Sequence, residues 1–262
     1  MRLSVAATAP FGADVLERLA ARHEVAALLT RPDRPAGRGR KLAAPPAKVA
    51  AERLGIPVLQ PERPTSGLEL PTETVVVCAY GLLIPDGLLE RGLWLNVHPS
   101  LLPRWRGAAP VERALLAGDT ETGVTIHETV KELDAGPIAA QQAFPIAPED
   151  DAGAVFARAA EVAVELLDEV LPEPTFRPQE GEPTYAAKIE AADRELDPDA
   201  PPQEALDRIR ALSPHIGART ELEGRRVTIW RARIEDGELV PVEVQPDGGR
   251  RMGYDAFLRG LR

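Results

Sequence analysis

The strongest constraint on the fold is an uninterrupted run of β-branched and small apolar residues at Thr74–Ala79. A strand without polar alternation is typical of the interior of a parallel sheet that is covered on both faces. Shorter apolar runs predict four further strands, at Leu3–Ala7, Glu24–Thr30, Ile56–Leu59 and Leu93–His98. Segments with helical patterns alternate with the strands, at Ala13–Arg22, Pro46–Leu54 and Pro110–Ala117. This order predicts an α/β fold, with an open, Rossmann-like, mostly parallel sheet and helices on both sides.

The sequence after Ala117 predicts the rest of this domain and then a second, smaller domain. Two strands and a long helix are expected next, at Thr122–Val130, Pro137–Ile146 and Ala152–Leu171. Residues 172–183 contain four prolines and predict a linker. A helix, two strands and a short helix follow, at Pro202–Leu212, Arg225–Ile234, Glu238–Val244 and Tyr254–Leu261. We therefore expect one domain over residues 1–171 and a second over residues 184–262.

Charge and cysteine content exclude several classes of protein. The net charge of −10 argues against nucleic-acid binding over the whole surface, although five basic residues between Arg31 and Lys41 can bind phosphate locally. The single cysteine, Cys78, excludes an internal disulfide and a multi-cysteine zinc site, and its apolar neighbours predict burial. No histidine pair has metal-ligand spacing, so we expect no metal. Gly37-Arg38-Gly39 lacks the third glycine of a dinucleotide-binding fingerprint.

The apolar segments are too short for a membrane protein. No run approaches the roughly 18 apolar residues of a membrane-spanning helix. The first residues lack the basic start and long apolar stretch of a signal peptide. We expect a cytoplasmic monomer with no membrane partner.

Three polar residues form the most informative pattern in the chain. Asn96 and His98 are two residues apart on a predicted strand, so their side chains project to the same face. Asp134 lies in a predicted turn whose shape Gly136 and Pro137 would fix. An amide, an imidazole and a carboxylate supply what acyl transfer to an amine requires: a donor for the oxyanion, a proton-moving group and a charge that tunes it. From spacing alone, a structural role for the same residues remains an alternative.

The sequence from Asn96 to Ile138, NVHPSLLPRWRGAAPVERALLAGDTETGVTIHETVKELDAGPI, closely resembles the core of the folate-dependent formyltransferases. The resemblance implies a formyltransferase fold and a catalytic triad of Asn96, His98 and Asp134. It also implies that 10-formyltetrahydrofolate is the cosubstrate. Two segments match regions that contact folate in that family, and they contain Tyr80, Gly81, Leu82, Leu83, Ser100, Leu101, Leu102 and Pro103.

Two more segments resemble the members of that family that act on tRNA. The first runs from Arg31 to Leu42 and resembles the loop that reaches the acceptor end, which implies tRNA contacts by Arg34, Arg38, Arg40 and Lys41. The second, Pro183–Ile189, resembles the start of an OB-like C-terminal domain, a fold that often binds nucleic acid. Only one clear strand and a short helix are predicted after Ile234, so we expect a shortened barrel.

The resemblance implies one leading function and two alternatives. The leading function is transfer of a formyl group from 10-formyltetrahydrofolate to the α-amine of initiator methionyl-tRNA, which gives N-formylmethionyl-tRNA for translation initiation. The first alternative is formylation of a small amine, either an amino sugar nucleotide or glycinamide ribonucleotide. The second alternative is a non-catalytic relative that binds folate or tRNA.

Overall fold

A computed structural model of the chain describes residues 1–36 and 41–261. Along the chain, the first elements are β1 (Arg2–Ala7), α1 (Pro10–Ala20), β2 (Glu24–Leu29), β3 (Arg34–Ala36), β4 (Lys41–Ala43), α2 (Pro46–Arg53), β5 (Val58–Leu59), β6 (Thr74–Cys78), α3 (Asp86–Leu89), β7 (Leu93–His98), β8 (Arg106–Gly107), α4 (Pro110–Leu116), β9 (Glu121–Glu128), β10 (Ile138–Pro145) and α5 (Ala152–Val170). The later elements are β11 (Tyr185–Ala186), α6 (Pro202–Leu212), β12 (Ala218–Leu222), β13 (Arg225–Glu235), β14 (Glu238–Pro246), β15 (Met252–Gly253) and α7 (Tyr254–Arg259).

Seven strands form the main sheet, in the order β10-β9-β7-β6-β1-β2-β5. The pairs β1–β2, β1–β6, β6–β7 and β2–β5 are parallel, whereas β7–β9 is antiparallel. The predicted open, mostly parallel sheet is therefore confirmed. Because β6 and β7 are parallel neighbours, the segments that follow them emerge side by side at the carboxyl edge, where α/β folds place their sites.

The central strand β6 shows why the sequence folds in this way. Its four consecutive residues Val75–Cys78 are each at most 7% exposed, so both faces of the strand are covered. On one side, Val75 and Val77 belong to an apolar cluster that also contains Ala6, Leu29, Tyr80, Ile84, Leu88 and Trp94. Cys78 is completely buried, as predicted, and burial raises the pKa of its thiol.

The chain divides into two compact units. The first contains Met1–Arg106, Gly123–Ala143 and Ala157–Thr184, and the second contains Gly107–Thr122, Phe144–Phe156 and the chain from Tyr185 onward. The domain boundaries that we expected near residues 171 and 184 stay predictions. Within the described residues, no helix is both long and apolar enough to cross a membrane.

The second unit contains an antiparallel sheet with the order β12-β13-β14-β15. A separate apolar core supports it, built from Ile209, Leu212, Ala218, Val227, Ile229, Val244 and Phe257. Strands β12 and β15 were not predicted. β12 has the mixed sequence ARTEL, and β15 has only two residues, so neither carries a clear apolar pattern. Over the described part of the chain these four strands form one antiparallel sheet, and the expected shortening of the barrel stays a prediction.

Candidate active site

Asn96 and His98 lie at the carboxyl end of β7, as predicted. The antiparallel register of β7 and β9 places Asn96 opposite His127 and His98 opposite Thr125. Residues that face each other across an antiparallel pair have their side chains on the same side of the sheet. The sheet therefore brings Asn96, His98 and His127 together on one face.

His98 is held by a backbone carbonyl. His98 is 4% exposed, and its Nε2 donates to the carbonyl oxygen of Trp105 at 2.8 Å. Because a carbonyl oxygen only accepts hydrogen bonds, Nε2 carries a proton. In the neutral imidazole, Nδ1 is then the nitrogen with a lone pair. Nδ1 lies 3.6 Å from Oδ2 of Asp134, a separation longer than a hydrogen bond but short enough for electrostatic attraction when the imidazole is protonated.

Asp134 reaches this face from the turn between β9 and β10. Its backbone has a φ of 49°, in the left-handed region that aspartate tolerates better than most residues. The turn packs closely on β9 at Gly136, where an added Cβ would collide with the carbonyl oxygen of Glu128. Asp134 Oδ1 lies 3.4 Å from Asn96 Nδ2. The structure thus brings together all three residues of the predicted triad.

His127 is a fourth member of the cluster, although its sequence context favours a structural role. Its Nδ1 donates to the carbonyl oxygen of Glu128 at 2.8 Å, which leaves Nε2 to accept from Asn96 Nδ2 at 2.9 Å. Burial, with the nearby charge of His98, lowers the pKa of His127 to about 4, so the ring is neutral at pH 7. His127 thereby fixes which way the Asn96 amide points. The alternation of Thr125, His127 and Thr129 places this ring on one face of its strand, but only the register with β7 shows its partner.

The segment Ser100–Pro103, predicted to contact folate, is held by hydrogen bonds from β9 and β10. Ser100 is fully buried and its hydroxyl donates to the carbonyl oxygen of Arg104 at 2.6 Å. The Thr125 hydroxyl donates to the Ser100 carbonyl oxygen at 2.7 Å and accepts from the Leu102 amide at 3.1 Å. Gln141 donates to the Leu102 carbonyl oxygen and to the Thr125 hydroxyl. The backbone after His98 therefore has a fixed path.

The segment Tyr80–Leu83, also predicted to contact folate, follows β6. Tyr80 is 2% exposed, and burial raises the pKa of its phenol to about 12. Thr8 donates to the carbonyl oxygen of Tyr80 at 2.8 Å. Gly81 has a φ of 73°, and Leu83 is 81% exposed. This loop presents apolar surface beside the segment that follows β7, since both leave the same edge of the sheet.

The basic segment 31–42 contains a short hairpin of β3 and β4. We expected a loop over this segment, whereas Arg34–Ala36 and Lys41–Ala43 are paired as antiparallel strands. Arg34 and Lys41 are exposed on the two strands, whereas Arg38 and Arg40 lie outside the described residues. Asp33 anchors the base of the hairpin, because its carboxylate accepts from Lys48 at 2.9 Å and from Gln60 at 2.8 Å. These hydrogen bonds lower the pKa of Asp33, and the hydrogen bond from Gln60 has the largest effect.

Over residues 1–36 and 41–261, no three His, Cys, Asp or Glu side chains are arranged to hold a metal ion. The cluster of Asn96, His98, His127 and Asp134 is suited instead to moving protons and to stabilising negative charge on an oxygen.

Comparison with known proteins defines the class to which this fold and site belong. Residues 1–171 match the family Formyl transferase, and residues 188–239 match Formyl transferase, C-terminal domain. The chain belongs to the formyl transferase family.

Similarity over the whole chain narrows this class. The methionyl-tRNA formyltransferase of Cereibacter sphaeroides is 40% identical over 295 residues, which cover 100% of this chain and 96% of that protein. At that identity and coverage, the chain is a member of the methionyl-tRNA formyltransferases.

Two solved structures share the fold. Methionyl-tRNA formyltransferase from Clostridium thermocellum gives a TM-score of 0.67 at 17% identity, over 94% of this chain and 98% of that one. HypX from Aquifex aeolicus in complex with tetrahydrofolic acid gives a TM-score of 0.63 at 17% identity, over 98% of this chain and 46% of that one. At these identities the likeness shows the fold alone.

Proposed function

We propose that Asn96, His98 and Asp134 carry out transfer of a formyl group from 10-formyltetrahydrofolate to the α-amine of methionyl-tRNA. The chain formylates methionyl-tRNA, as its similarity to methionyl-tRNA formyltransferases over the whole chain supports. The folate-bound relative of the same fold supports a folate as the donor. The observation that carries the residue roles is the convergence of Asp134 Oδ1 and Oδ2 on Asn96 and His98, at 3.4 and 3.6 Å.

The reaction places two demands on these side chains. A bond forms between the amine nitrogen and the formyl carbon, and the bond from that carbon to the folate nitrogen breaks. Negative charge collects on the formyl oxygen between these events, the amine loses a proton, and the folate nitrogen gains one. The site must therefore hold an oxyanion and move a proton.

The geometry assigns a part to each residue. Asn96 Nδ2 gives one hydrogen to His127, which sets the direction of the amide, and the other, which faces Asp134 Oδ1 at 3.4 Å, is the one that it offers to the oxyanion. His98 is tied through Nε2 to Trp105, so protonated Nδ1 is the donor that it offers to the oxyanion. The Asp134 carboxylate stabilises that imidazolium and accepts the proton that the amine loses, directly or through water.

The folate would lie against the two loops at the carboxyl edge. Gly81, Leu82 and exposed Leu83 offer apolar surface to a flat ring. The rigid path of Ser100–Pro103 offers a wall beside the catalytic side chains. Arg34, Arg38, Arg40 and Lys41 would contact tRNA phosphates near the acceptor end.

A competition assay tests the acceptor. Labelled 10-formyltetrahydrofolate is offered with charged initiator tRNA, glycinamide ribonucleotide and an amino sugar nucleotide, each in a separate reaction. We expect label on methionyl-tRNA and none on the small amines. Label on a small amine alone would make the first alternative correct, and tRNA binding without label transfer would make the second correct.

A further inference from the structure

The segment from Arg177 to Thr184, predicted to be a linker as far as Pro183, belongs to the first unit and is hydrogen-bonded next to the active site. The Ile138 amide donates to the Arg177 carbonyl oxygen at 2.7 Å, and the Arg177 amide donates back at 3.0 Å. This bridge fixes the segment beside the first residue of β10, four residues after Asp134. The proline-rich composition that predicts a linker does not reveal this pairing, because the contacts are made by the backbone.

Gln179 is the residue of this segment that contacts the turn carrying Asp134. Its Nε2 donates to the carbonyl oxygen of Asp134 at 2.8 Å and to that of Gly136 at 2.9 Å. Its Oε1 accepts from Nε and Nη2 of Arg106 at 3.1 and 2.7 Å. One amide therefore uses both of its donor hydrogens on the turn and both acceptor positions on a guanidinium.

The turn needs such support, because its exposed side chains do little to hold it. Leu133 is 63% exposed, and the side chain of Glu132 is 77% exposed. Asp134 has a left-handed backbone, a conformation that persists only where the surroundings enforce it. Gln179 donates to the carbonyl groups of Asp134 and Gly136, so it fixes the backbone on either side of Ala135. A shift of this backbone would move the carboxylate relative to His98.

The same segment also holds the backbone of Trp105, whose carbonyl oxygen is the hydrogen-bond partner of His98. The Trp105 amide donates to the Thr184 hydroxyl at 2.9 Å, and the Arg106 amide donates to the Thr184 carbonyl oxygen at 2.8 Å. The carbonyl oxygen of Trp105 in turn accepts from His98 Nε2. The segment thus contacts the backbone that holds each of the two ionisable members of the triad.

We propose that Gln179 is a positioning residue for formyl transfer, which sets the place of the Asp134 carboxylate relative to His98 by holding the backbone of the turn. The inference rests on the proposed function, since it assigns to Gln179 a part that only matters if Asp134 is catalytic. Gln179 acts through Asp134.

Two substitutions separate the contacts of Gln179. Gln179→Met keeps the length of the side chain and removes all four hydrogen bonds. Gln179→Glu keeps an acceptor for Arg106, and strengthens that contact, but has no donor for the two carbonyl groups. Glu180→Met, at an exposed position next along the chain, is the matched control. For each variant, kcat and the KM for folate and for methionyl-tRNA are measured, together with the temperature of unfolding.

We expect kcat to fall by roughly 10- to 100-fold in both Gln179 variants, the loss expected of a displacement of about 1 Å at a catalytic group. Both KM values should stay within about twofold, because the loops that bind the substrates are unchanged, and Glu180→Met should behave as the unchanged protein does. If Gln179→Glu, which is nearly isosteric, retains full kcat, the contact with Arg106 is the important one and the proposal is overturned. A folded Gln179→Met protein with unchanged kcat overturns it as well.

A double-mutant cycle separates positioning from general support. In an Asp134→Asn background, measured by single turnover, Gln179→Met should lower the rate by less than about twofold, because the group that it positions is already disabled. An equal loss in both backgrounds would show that Gln179 acts independently of Asp134 and would overturn the proposal. An Asp134→Asn protein with the unchanged rate would overturn the proposed function itself, an outcome distinct from failure at Gln179 alone.

Discussion

The catalytic end of β7 and the basic hairpin β3–β4 are built in opposite ways. At the end of β7, His98 and His127 are 4% and 2% exposed, and each has a hydrogen-bonded partner that fixes its ring. On the hairpin, Arg34 and Lys41 are exposed, and Leu42 is 74% exposed. The first region positions side chains by mutual contact, and the second presents charge to the solvent.

The difference teaches where geometry matters and where charge is enough. A buried polar side chain that loses its partner is left unsatisfied, so a change at one position disturbs the whole cluster. Exposed charges act through a field that salt screens, and each contributes separately. Substitutions at the end of β7 should therefore change kcat strongly. Those on the hairpin should change the affinity for tRNA modestly.

The sharpest test of this contrast is His98→Ala. We expect kcat to fall by on the order of 1,000-fold, since the variant loses a charged donor to the oxyanion. Steady-state kinetics with methionyl-tRNA measure the loss, and far-ultraviolet circular dichroism checks that the chain folds. A loss of less than about tenfold would remove His98 from the mechanism and would break the contrast.

Asp134→Asn should have the second largest effect. The substitution keeps the size of the side chain but removes the charge that stabilises protonated His98, so we expect kcat to fall by on the order of 100-fold. Glu132→Gln is the matched control, because Glu132 lies in the same turn with its side chain 77% exposed. That control should lose less than about twofold. Equal losses in the two variants would show that the turn requires negative charge in general rather than a carboxylate at Asp134.

His127 gives a prediction about stability rather than rate. Burial holds the pKa of His127 at about 4 in the folded chain, below the ordinary value of 6.5. Between these values the unfolded chain binds a proton that the folded chain does not, so the free energy of unfolding falls as the pH falls from about 6.5 toward 4. The charges that face this ring are those of His98, Asp134 and Arg106.

Urea unfolding at pH 7 and pH 5 measures this contribution. We expect the unchanged protein to lose about 2 kcal/mol more than His127→Gln over this interval. His215→Gln, at an exposed histidine, should lose as much as the unchanged protein. If His127→Gln loses as much stability as the unchanged protein, the ring is not held neutral by the cluster.

The contrast also explains which features the sequence could predict. The bounds of β7, Leu93–His98, and of α6, Pro202–Leu212, were predicted to the residue, because apolar periodicity and prolines mark them locally. The strand spacing and the turn indicated that Asn96, His98 and Asp134 could meet, and the resemblance to the folate-dependent formyltransferases implied the triad. His127 and Gln179 were not predicted as parts of the site. Their contacts depend on the register of β7 with β9 and on a distant segment returning to the turn, and local patterns specify neither.

The smallest effects should come from the hairpin. Arg34→Ala and Lys41→Ala should each raise the KM for methionyl-tRNA by about three- to tenfold and leave the KM for folate and kcat nearly unchanged, because each removes one exposed charge. If each side chain neutralises one phosphate, the slope of log affinity against log salt should decrease in magnitude by about one per substitution. Arg53→Ala removes an exposed charge on α2 and is the control for a general loss of positive charge. If Arg53→Ala changes the KM for tRNA as much, the hairpin acts only through net charge. If Arg34→Ala or Lys41→Ala lowers kcat, the hairpin also shapes the active site. The hairpin and the end of β7 would then no longer be separable.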